Sequence, residues 1–346
     1  MTLPTSLPAT FSPAAINGSQ NSTNGTECAP GQQWTNTILA VYILLVAVLG
    51  IVFNVFVLMV FCLHKKACTV AEIYLSNLAA ADLILVSCLP FWAVYAAKQF
   101  NWPFGAPMCQ LITLSIVMNA HCSIYFLVLV SIDRYVALVH PLSHEKMRRP
   151  KYAKLGCLLV WVLGLLLSMP TLLYRETKLD GNRTICYMNY SSNVELLCEG
   201  MMIMFCFIIP ISIISLCTFK IMQALNHRLN AQNMEHKATT LVLAVLVAFL
   251  VCWVPFHLVK MVEMFHIAKV LTGDRVKAIL EICKQIVLYL AFFNSVLNPI
   301  LYVIVGKKFR KKVKEVFKQW GIQRTATLSL GSVRSYLSRS DKAVSG

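Results

Sequence analysis

The sequence has few charged residues for its length. Only 13% of the 346 residues are Asp, Glu, Lys or Arg, whereas 58% are hydrophobic, and the mean hydropathy is +0.66. A soluble domain of this size needs far more charge to cover its surface. The low charge therefore excludes an ordinary soluble protein and favours an integral membrane protein.

Seven apolar runs are long enough to cross a bilayer as helices. We therefore predict an all-α membrane protein, a seven-transmembrane helix bundle. The runs cover roughly residues 38–63, 72–97, 108–139, 153–174, 197–223, 238–266 and 278–305. The predicted parts are an extracellular segment (1–35), the bundle (36–305), an amphipathic surface helix (306–320) and a disordered cytoplasmic tail (321–346).

Lys and Arg are absent from residues 1–35, and 22 of the 31 follow spans one, three, five and seven. Because cytoplasmic segments carry the basic excess, we expect an extracellular N-terminus, a cytoplasmic C-terminus and a multi-pass position in the plasma membrane. The net charge of +16 then indicates anionic lipid as partner and no nucleic acid. No apolar signal peptide precedes residue 36, so we expect span one to act as the targeting signal.

Glycosylation acceptor motifs occur only on the predicted outer side. Three lie in the N-terminal segment, which is too polar to fold alone, and two lie between spans four and five. We expect glycans at Asn17, Asn21, Asn24, Asn182 and Asn189.

The thirteen cysteines include no Cys-x-x-Cys pair and no zinc spacing. Most lie inside spans, where a thiol is usually a small core residue. A disulfide between Cys109 and Cys186 would fix the link after span four across the top of the bundle, and we predict it. Cys28 could pair with Cys198, with Cys283 or with neither.

Asp82 is the only acidic residue deep inside a span, where a polar group is costly and commonly functional. One carboxylate among neutral oxygens suits a small hard cation, so we expect an allosteric sodium ion and no other metal or cofactor. The alternative is a protonated or hydrogen-bonded packing residue. The expected sodium site consists of Asp82, Asn119, Ser123, Asn294 and Asn298, with Asn54 and Ser295 as further candidates.

Motifs in all seven spans resemble the rhodopsin-like (class A) G-protein-coupled receptors. They include DRY at the inner end of span three, CWVP in span six and NPILY in span seven. More narrowly, HKKACTVAEIYLSNLAAADLILVSCLPFWA (64–93), FNWPFG (100–105) and YVIVGKKFRKK (302–312) resemble the bradykinin (kinin) receptors. The resemblance implies a receptor for a kinin peptide that signals through heterotrimeric G proteins of the Gq class, phospholipase C and calcium. The alternative is a class A receptor for an angiotensin- or chemokine-like peptide.

The resemblance also implies an activation switch. Arg134 would be held at rest by its neighbour Asp133 and by Glu235, and the peptide would shift the population of packing states. A snorkelling interfacial arginine is the alternative, but it leaves Asp133 unexplained. The other expected switch residues are Ile124, Tyr135, Pro210, Phe249, Trp253, Pro255, Pro299 and Tyr302.

Kinin peptides begin and end with arginine, so the resemblance implies carboxylates at the outer mouth. Glu263 and Glu281 occupy the expected positions on spans six and seven. The alternative is that both only neutralise nearby lysines, namely Lys260, Lys277 and Lys284. The expected apolar lining of the pocket below is Trp92, Ile116, Phe256 and Phe292.

Several other classes lack their signatures. A light receptor needs a lysine where Phe292 lies, and an amine receptor an aspartate where Ile116 lies. An intramembrane enzyme needs facing acids or histidine ligands, whereas Asp82 has no second deep acid and His121 is a lone histidine. We therefore expect no catalytic residues.

Residues 306–320 place apolar side chains on one face and lysines opposite, which predicts a helix lying on the inner leaflet. Seven Ser and Thr residues follow between 325 and 340. We expect receptor kinases to phosphorylate them and arrestin to bind; an unmodified tail is the alternative.

Overall fold

The computed structural model describes residues 30–64, 67–140, 149–227, 233–271, 273–304, 306 and 309–320. Within these ranges, side chains are described except at 30–33, 225–246, 249, 274 and 278. The predicted glycosylation sites at Asn17, Asn21 and Asn24 and the predicted phosphorylated tail lie outside the described residues.

Seven of the described helices or helix pairs are long and apolar enough to cross a membrane, as predicted. Spans one to four are single helices, span five consists of α5, a π-helical turn and α6, and spans six and seven are α7 and α8. A short helix, α9, follows over 309–320. The bounds are α1 (Pro30–Leu63), α2 (Val70–Ala97), α3 (Gly105–Val139), α4 (Pro150–Tyr174), β1 (Arg175–Asp180), β2 (Arg183–Met188), α5 (Ser192–Ile203), π turn (Met204–Ile208), α6 (Ile209–His227), α7 (Asn233–Ile267) and α8 (Asp274–Ile304).

Most helices extend beyond the apolar runs because polar turns at their ends still form backbone hydrogen bonds. Span two shows how such an end is fixed. The Thr69 hydroxyl accepts a hydrogen bond from the Glu72 amide (3.4 Å), and the Glu72 carboxylate accepts one from the Thr69 amide (2.8 Å). This capping box satisfies two otherwise free backbone donors and starts the helix before the hydrophobic run.

Proline lies inside four spans without ending any of the helices, at Pro90, Pro170, Pro255 and Pro299. A proline removes one backbone hydrogen bond and therefore introduces a kink or hinge. In span five the π-helical turn Met204–Ile208 ends two residues before Pro210. Such turns add a residue to the helical repeat, and sequence analysis did not anticipate this one.

A β-hairpin joins spans four and five, which sequence analysis also did not anticipate. Its strands β1 and β2 pair antiparallel, with Asp180 opposite Arg183. The two-residue turn begins at Gly181, whose φ of +59° lies in the left-handed region that glycine adopts without strain. The Thr184 carbonyl accepts a hydrogen bond of 2.7 Å from the Trp102 amide, so the hairpin is also attached to the link after span two.

Helix α9 packs against the end of span one, the start of span two and the end of span seven. Phe309 is buried, and its ring lies 5.6 Å from that of Phe61. Lys312 forms an ion pair of 2.9 Å with Glu72. Phe317 and Trp320, on the predicted apolar face of the helix, remain exposed.

Candidate functional site

A cavity opens at the end of the bundle that carries the hairpin. It is bounded by spans two to seven, by Arg175 at the start of β1 and by Met188 at the end of β2. Of the predicted apolar lining, Trp92, Ile116 and Phe256 contribute to its wall. Phe292 does not line it: this residue is buried in the core, with its ring 6.0 Å from that of Tyr289. That the cavity receives a ligand stays a prediction.

Five alternating charges connect spans five, six and seven at this cavity, and we refer to them as the charged row. Lys260 lies 2.7 Å from Glu199 and 3.0 Å from Glu263. Lys284 lies 2.8 Å from Glu263 and 2.7 Å from Glu281. The predicted pair of rim carboxylates is therefore brought together by a shared lysine. Only Glu281 of the pair lines the cavity; Glu263, also predicted to bind the ligand, lies behind the lysines. Ion pairs with Lys260 and Lys284 are thus present, and the alternative that the carboxylates only neutralise lysines stays open beside ligand binding.

Two glutamates of span five belong to this site although sequence analysis missed them. Glu199 pairs with Lys260, and Glu195 lines the same cavity. The signal that could have found them is their distance from Pro210: Glu199 lies about three helical turns before it on span five. Lys277, in contrast, is exposed and does not line the cavity.

The cavity has a further cation in Arg175, the first residue of the hairpin. Its Nε donates a hydrogen bond of 3.2 Å to Cys186 Sγ, and the side chain is buried. Burial disfavours the charged form and lowers the pKa of Arg175 to about 10. The guanidinium therefore remains charged at neutral pH. Burial also raises the pKa of the neighbouring Tyr190 hydroxyl.

The predicted disulfide between Cys109 and Cys186 is present, with the two Cα atoms 5.8 Å apart. It joins the start of span three to strand β2 and so places the hairpin across the bundle. Cys198 and Cys283 are free thiols in the part of the chain that the structure describes, and Cys28 lies outside that part.

Asp82 is completely buried in the middle of the bundle and accepts three hydrogen bonds. Asn119 donates at 3.0 Å, Ser295 at 2.9 Å and Asn298 at 2.9 Å. We refer to these four residues as the Asp82 cluster. Asn54 extends it by donating to the Ser295 carbonyl at 2.9 Å.

Several oxygen atoms around the Asp82 cluster are buried without a hydrogen-bond partner among the described residues. They are the side-chain oxygens of Asn119 and Asn298 in the cluster and of Asn294, one helical turn before Asn298. The Ser123 hydroxyl lies close enough to Asp82 to act as a further hydrogen-bond donor. Neutral oxygens beside one carboxylate form the donor set that a small hard cation prefers. The residues present therefore fit a sodium ion, which stays a prediction together with the packing alternative.

The floor of the cavity leads towards the switch residues. Trp253 lines the cavity, and its ring lies 5.6 Å from that of Phe256 and 6.2 Å from that of His257. Two residues further along span six is Pro255. A ligand that moves Trp253 would therefore act directly beside the helix kink.

Near the C-terminal end of span three, Arg134 is paired with Asp133 at 2.8 Å, and both side chains are largely buried. The Tyr135 hydroxyl lies 3.1 Å from His140. The side chains of Glu235 and Phe249 lie outside the described ones, so their predicted contacts stay predictions. Also buried are the switch residues Ile124, Pro210 and Tyr302.

Comparison with known proteins identifies the family. The family model of the 7 transmembrane receptor (rhodopsin family) matches residues 53–302. The B2 bradykinin receptor of Oryctolagus cuniculus is 43% identical over 313 residues, 88% of this chain and 85% of the relative. The B2 bradykinin receptor of Homo sapiens is 42% identical over 321 residues (88% and 82%), and the human B1 bradykinin receptor 37% over 325 residues (88% and 90%). The chain belongs to the bradykinin receptor family.

Membership in the bradykinin receptor family makes the chain a rhodopsin-class signalling receptor of the plasma membrane and not an enzyme. The hairpin between spans four and five exposes two of the predicted glycosylation sites in this receptor. Asn182 lies in the hairpin turn, and Asn189 follows β2, where it donates a hydrogen bond of 3.0 Å to Glu176. Glycan attachment at either asparagine stays a prediction.

Proposed function

We propose that this member of the bradykinin receptor family binds an arginine-ended, bradykinin-type peptide in the cavity beneath the hairpin. The observation that supports this most is the charged row above an apolar floor. The carboxylates of Glu199 and Glu281, which line the cavity, attract the basic ends of the peptide, while Trp92 and Phe256 contact its apolar side chains. The relatives named above carry bradykinin in their names, which gives the same ligand class.

The guanidinium of one peptide arginine would bind Glu281, which lines the cavity, while Glu263 lies behind the two lysines. Glu281 is the most exposed carboxylate of the row, at 26% of its side-chain surface. Lys284 holds both carboxylates in the structure, so the guanidinium has to share or replace its contacts. A guanidinium can do so because its planar donors reach two oxygens at once. A charge-assisted contact of this kind contributes about 1.5–3 kcal/mol.

We propose that the signal passes from Trp253 through the kink at Pro255 to the inner end of span six. The Arg134 side chain would then leave Asp133 and its proposed second partner Glu235, and Tyr302 would turn inward. This opening admits a heterotrimeric G protein, which we propose to be of the Gq class, with phospholipase C activation and calcium release as consequences. In this scheme the peptide acts by preferring the open packing state.

A sodium ion at the Asp82 cluster would stabilise the resting state. Asp82 would supply the charge, and Ser123, Asn119, Asn294 and Asn298 would supply neutral oxygens. Because the cluster lies between spans two, three and seven, an ion there holds those helices together. The ion would therefore oppose peptide binding by favouring the closed packing.

The orientation and modification of the receptor complete the proposal. The N-terminus lies outside and carries glycans, as do the exposed asparagines near the hairpin. The C-terminus lies inside, where receptor kinases phosphorylate the Ser and Thr residues and arrestin binds. Helix α9 rests its exposed Phe317 and Trp320 on the inner leaflet, because apolar and basic side chains favour that interface.

The test is a calcium and inositol-phosphate response in cells that display the receptor. The probes are bradykinin and a panel of variants with arginine at both ends and altered interior residues, because a relative at 42% identity need not share every apolar contact. An Arg134→Ala variant with equal surface display provides the control and should bind peptide without signalling. Absence of binding to every panel member, with normal display, would refute the proposal.

A further inference from the structure

Glu263 has both carboxylate oxygens occupied by lysines. Its Oε1 lies 2.8 Å from Lys284 and its Oε2 lies 3.0 Å from Lys260. The side chain is only 9% exposed, and Glu263 does not line the cavity, whereas both lysines do. Glu263 therefore lies behind the two ammonium groups and fixes their positions, so the surface met by a ligand at this point is cationic.

Among the contacts of the described residues, each ammonium has at least one hydrogen-bond donor left for a ligand. An ammonium carries three donors; Lys260 directs contacts to Glu199 and Glu263, and Lys284 to Glu263 and Glu281. The two groups are neighbours because they share one carboxylate. A ligand carboxylate, which has two oxygens, could accept the third donor of both.

We infer that Lys260 and Lys284 bind the C-terminal carboxylate of the peptide and make the receptor selective for a free acid. This inference rests on the proposed function. The C-terminal arginine of a kinin carries a guanidinium beside its α-carboxylate. The charged row offers the complementary order: the carboxylate meets the two lysines while the guanidinium meets Glu281. Glu263 is thus a positioning residue that holds the lysines.

The row is suited to this task because its charges are desolvated but not cancelled. A buried charge must be paired to be tolerated, and the row achieves this with three carboxylates and two ammoniums. Simple neutralisation would need no lysine facing the cavity. The lysines would instead be expected to turn towards solvent, as Lys277 does.

The experiment pairs receptor variants with two forms of one peptide. The probe is the panel member that binds the parent receptor most tightly, made with a C-terminal acid and with a C-terminal amide, since amidation removes the charge. Saturation binding is measured on the parent, Lys260→Gln, Lys284→Gln and the control Lys277→Gln. Lys260→Arg and Lys284→Arg keep the charge and report on loss of packing alone.

We expect the parent to bind the acid about tenfold to a hundredfold more tightly than the amide, as a charge-assisted contact provides. The ratio of acid affinity to amide affinity should shrink to about threefold or less in either glutamine variant, because the lysine that interacts with the peptide carboxylate is absent. It should persist in Lys277→Gln and in the arginine variants. The amide itself should bind the glutamine variants at least as well as the parent, since removing a lysine leaves carboxylates free for its guanidinium.

Three results would overturn the inference. The first is equal binding of acid and amide to the parent receptor. This result needs no variant, so the inference can be tested even if a variant does not reach the cell surface. Parallel shifts of acid and amide in the lysine variants would mean that the lysines only neutralise the row. Loss of the difference in Arg175→Gln alone would assign the carboxylate to the hairpin arginine. In all three cases the receptor still binds the peptide, so the proposed function stands; it fails only if no panel member binds.

Discussion

Replacing Asp82 by alanine and by asparagine separates the two roles considered for the Asp82 cluster. Alanine removes the acceptor for three buried donors, on Asn119, Ser295 and Asn298. Each buried polar group left without a partner costs about 1–3 kcal/mol. The sum is roughly 3–9 kcal/mol before the surroundings relax, which is comparable to the whole stability of many domains. We therefore expect Asp82→Ala to lose most of its surface display.

Asparagine keeps the shape and one acceptor oxygen, so it should fold. Its oxygen can accept from Asn119 and Ser295, and its nitrogen then faces Asn298. The Asn298 side-chain oxygen has no partner among the described residues, so a flip of that amide lets it accept the new donor. Asp82→Asn should therefore lower the free energy of unfolding by at most about 1–3 kcal/mol, the cost of one lost hydrogen bond.

The assay is thermal stability in detergent together with agonist binding in sodium chloride and in an equal concentration of choline chloride. The parent should bind agonist more weakly in sodium, and Asp82→Asn should bind equally in both salts because the charge that holds the ion is absent. Equal stability of the alanine and asparagine variants would refute the hydrogen-bond argument. Undiminished sodium sensitivity in Asp82→Asn would move the ion to another place.

Three further predictions address the bundle and the switch. Cys186→Ser should abolish peptide binding by releasing the hairpin; normal affinity in saturation binding would contradict this. Glu235→Ala should raise basal inositol-phosphate production at matched display, because the DRY arginine loses a proposed partner; an unchanged basal level would assign Glu235 no role. Gly50→Ala should destabilise by about 1–3 kcal/mol, since its Cβ would lie 2.5 Å from Val86 Cγ1; the control Gly200→Ala meets nothing within 4 Å and, as alanine is the better helix former, should keep or raise its melting temperature.

The membrane fold could be predicted because hydrocarbon imposes a strict length and polarity on each span. Asp82 was recognised for the same reason: a carboxylate amid leucines and alanines has to be satisfied by its neighbours, and its partners were other intramembrane polar residues. Two local features were missed. The Asp180-Gly181-Asn182 sequence is a turn signal for the hairpin. It lies in a link between two predicted membrane helices, where an irregular loop was expected. The π turn before Pro210 has no comparable signal.

The outer site was predicted only in part because it depends on side chains from three spans. Glu263 and Glu281 could be placed by counting helical turns, but the count does not reveal that Lys284 lies between them. Glu199 joins the row through Lys260, a contact that depends on the relative rotation of spans five and six. Phe292 was placed on the correct helix and yet faces the core. The direction in which such a side chain points is decided by how the helices pack against one another and not by sequence periodicity alone.

The most direct test of the central claim is binding of the tightest panel peptide, and of the same peptide without its C-terminal arginine, to the parent and to Glu281→Gln. The account predicts that Glu281→Gln weakens the intact peptide by about tenfold to a hundredfold and leaves the truncated peptide unaffected. Lys277→Gln provides the charge-change control. If the intact peptide binds parent and Glu281→Gln equally, or if both peptides weaken by the same factor, the carboxylate at the outer mouth does not recognise the arginine and the account is contradicted.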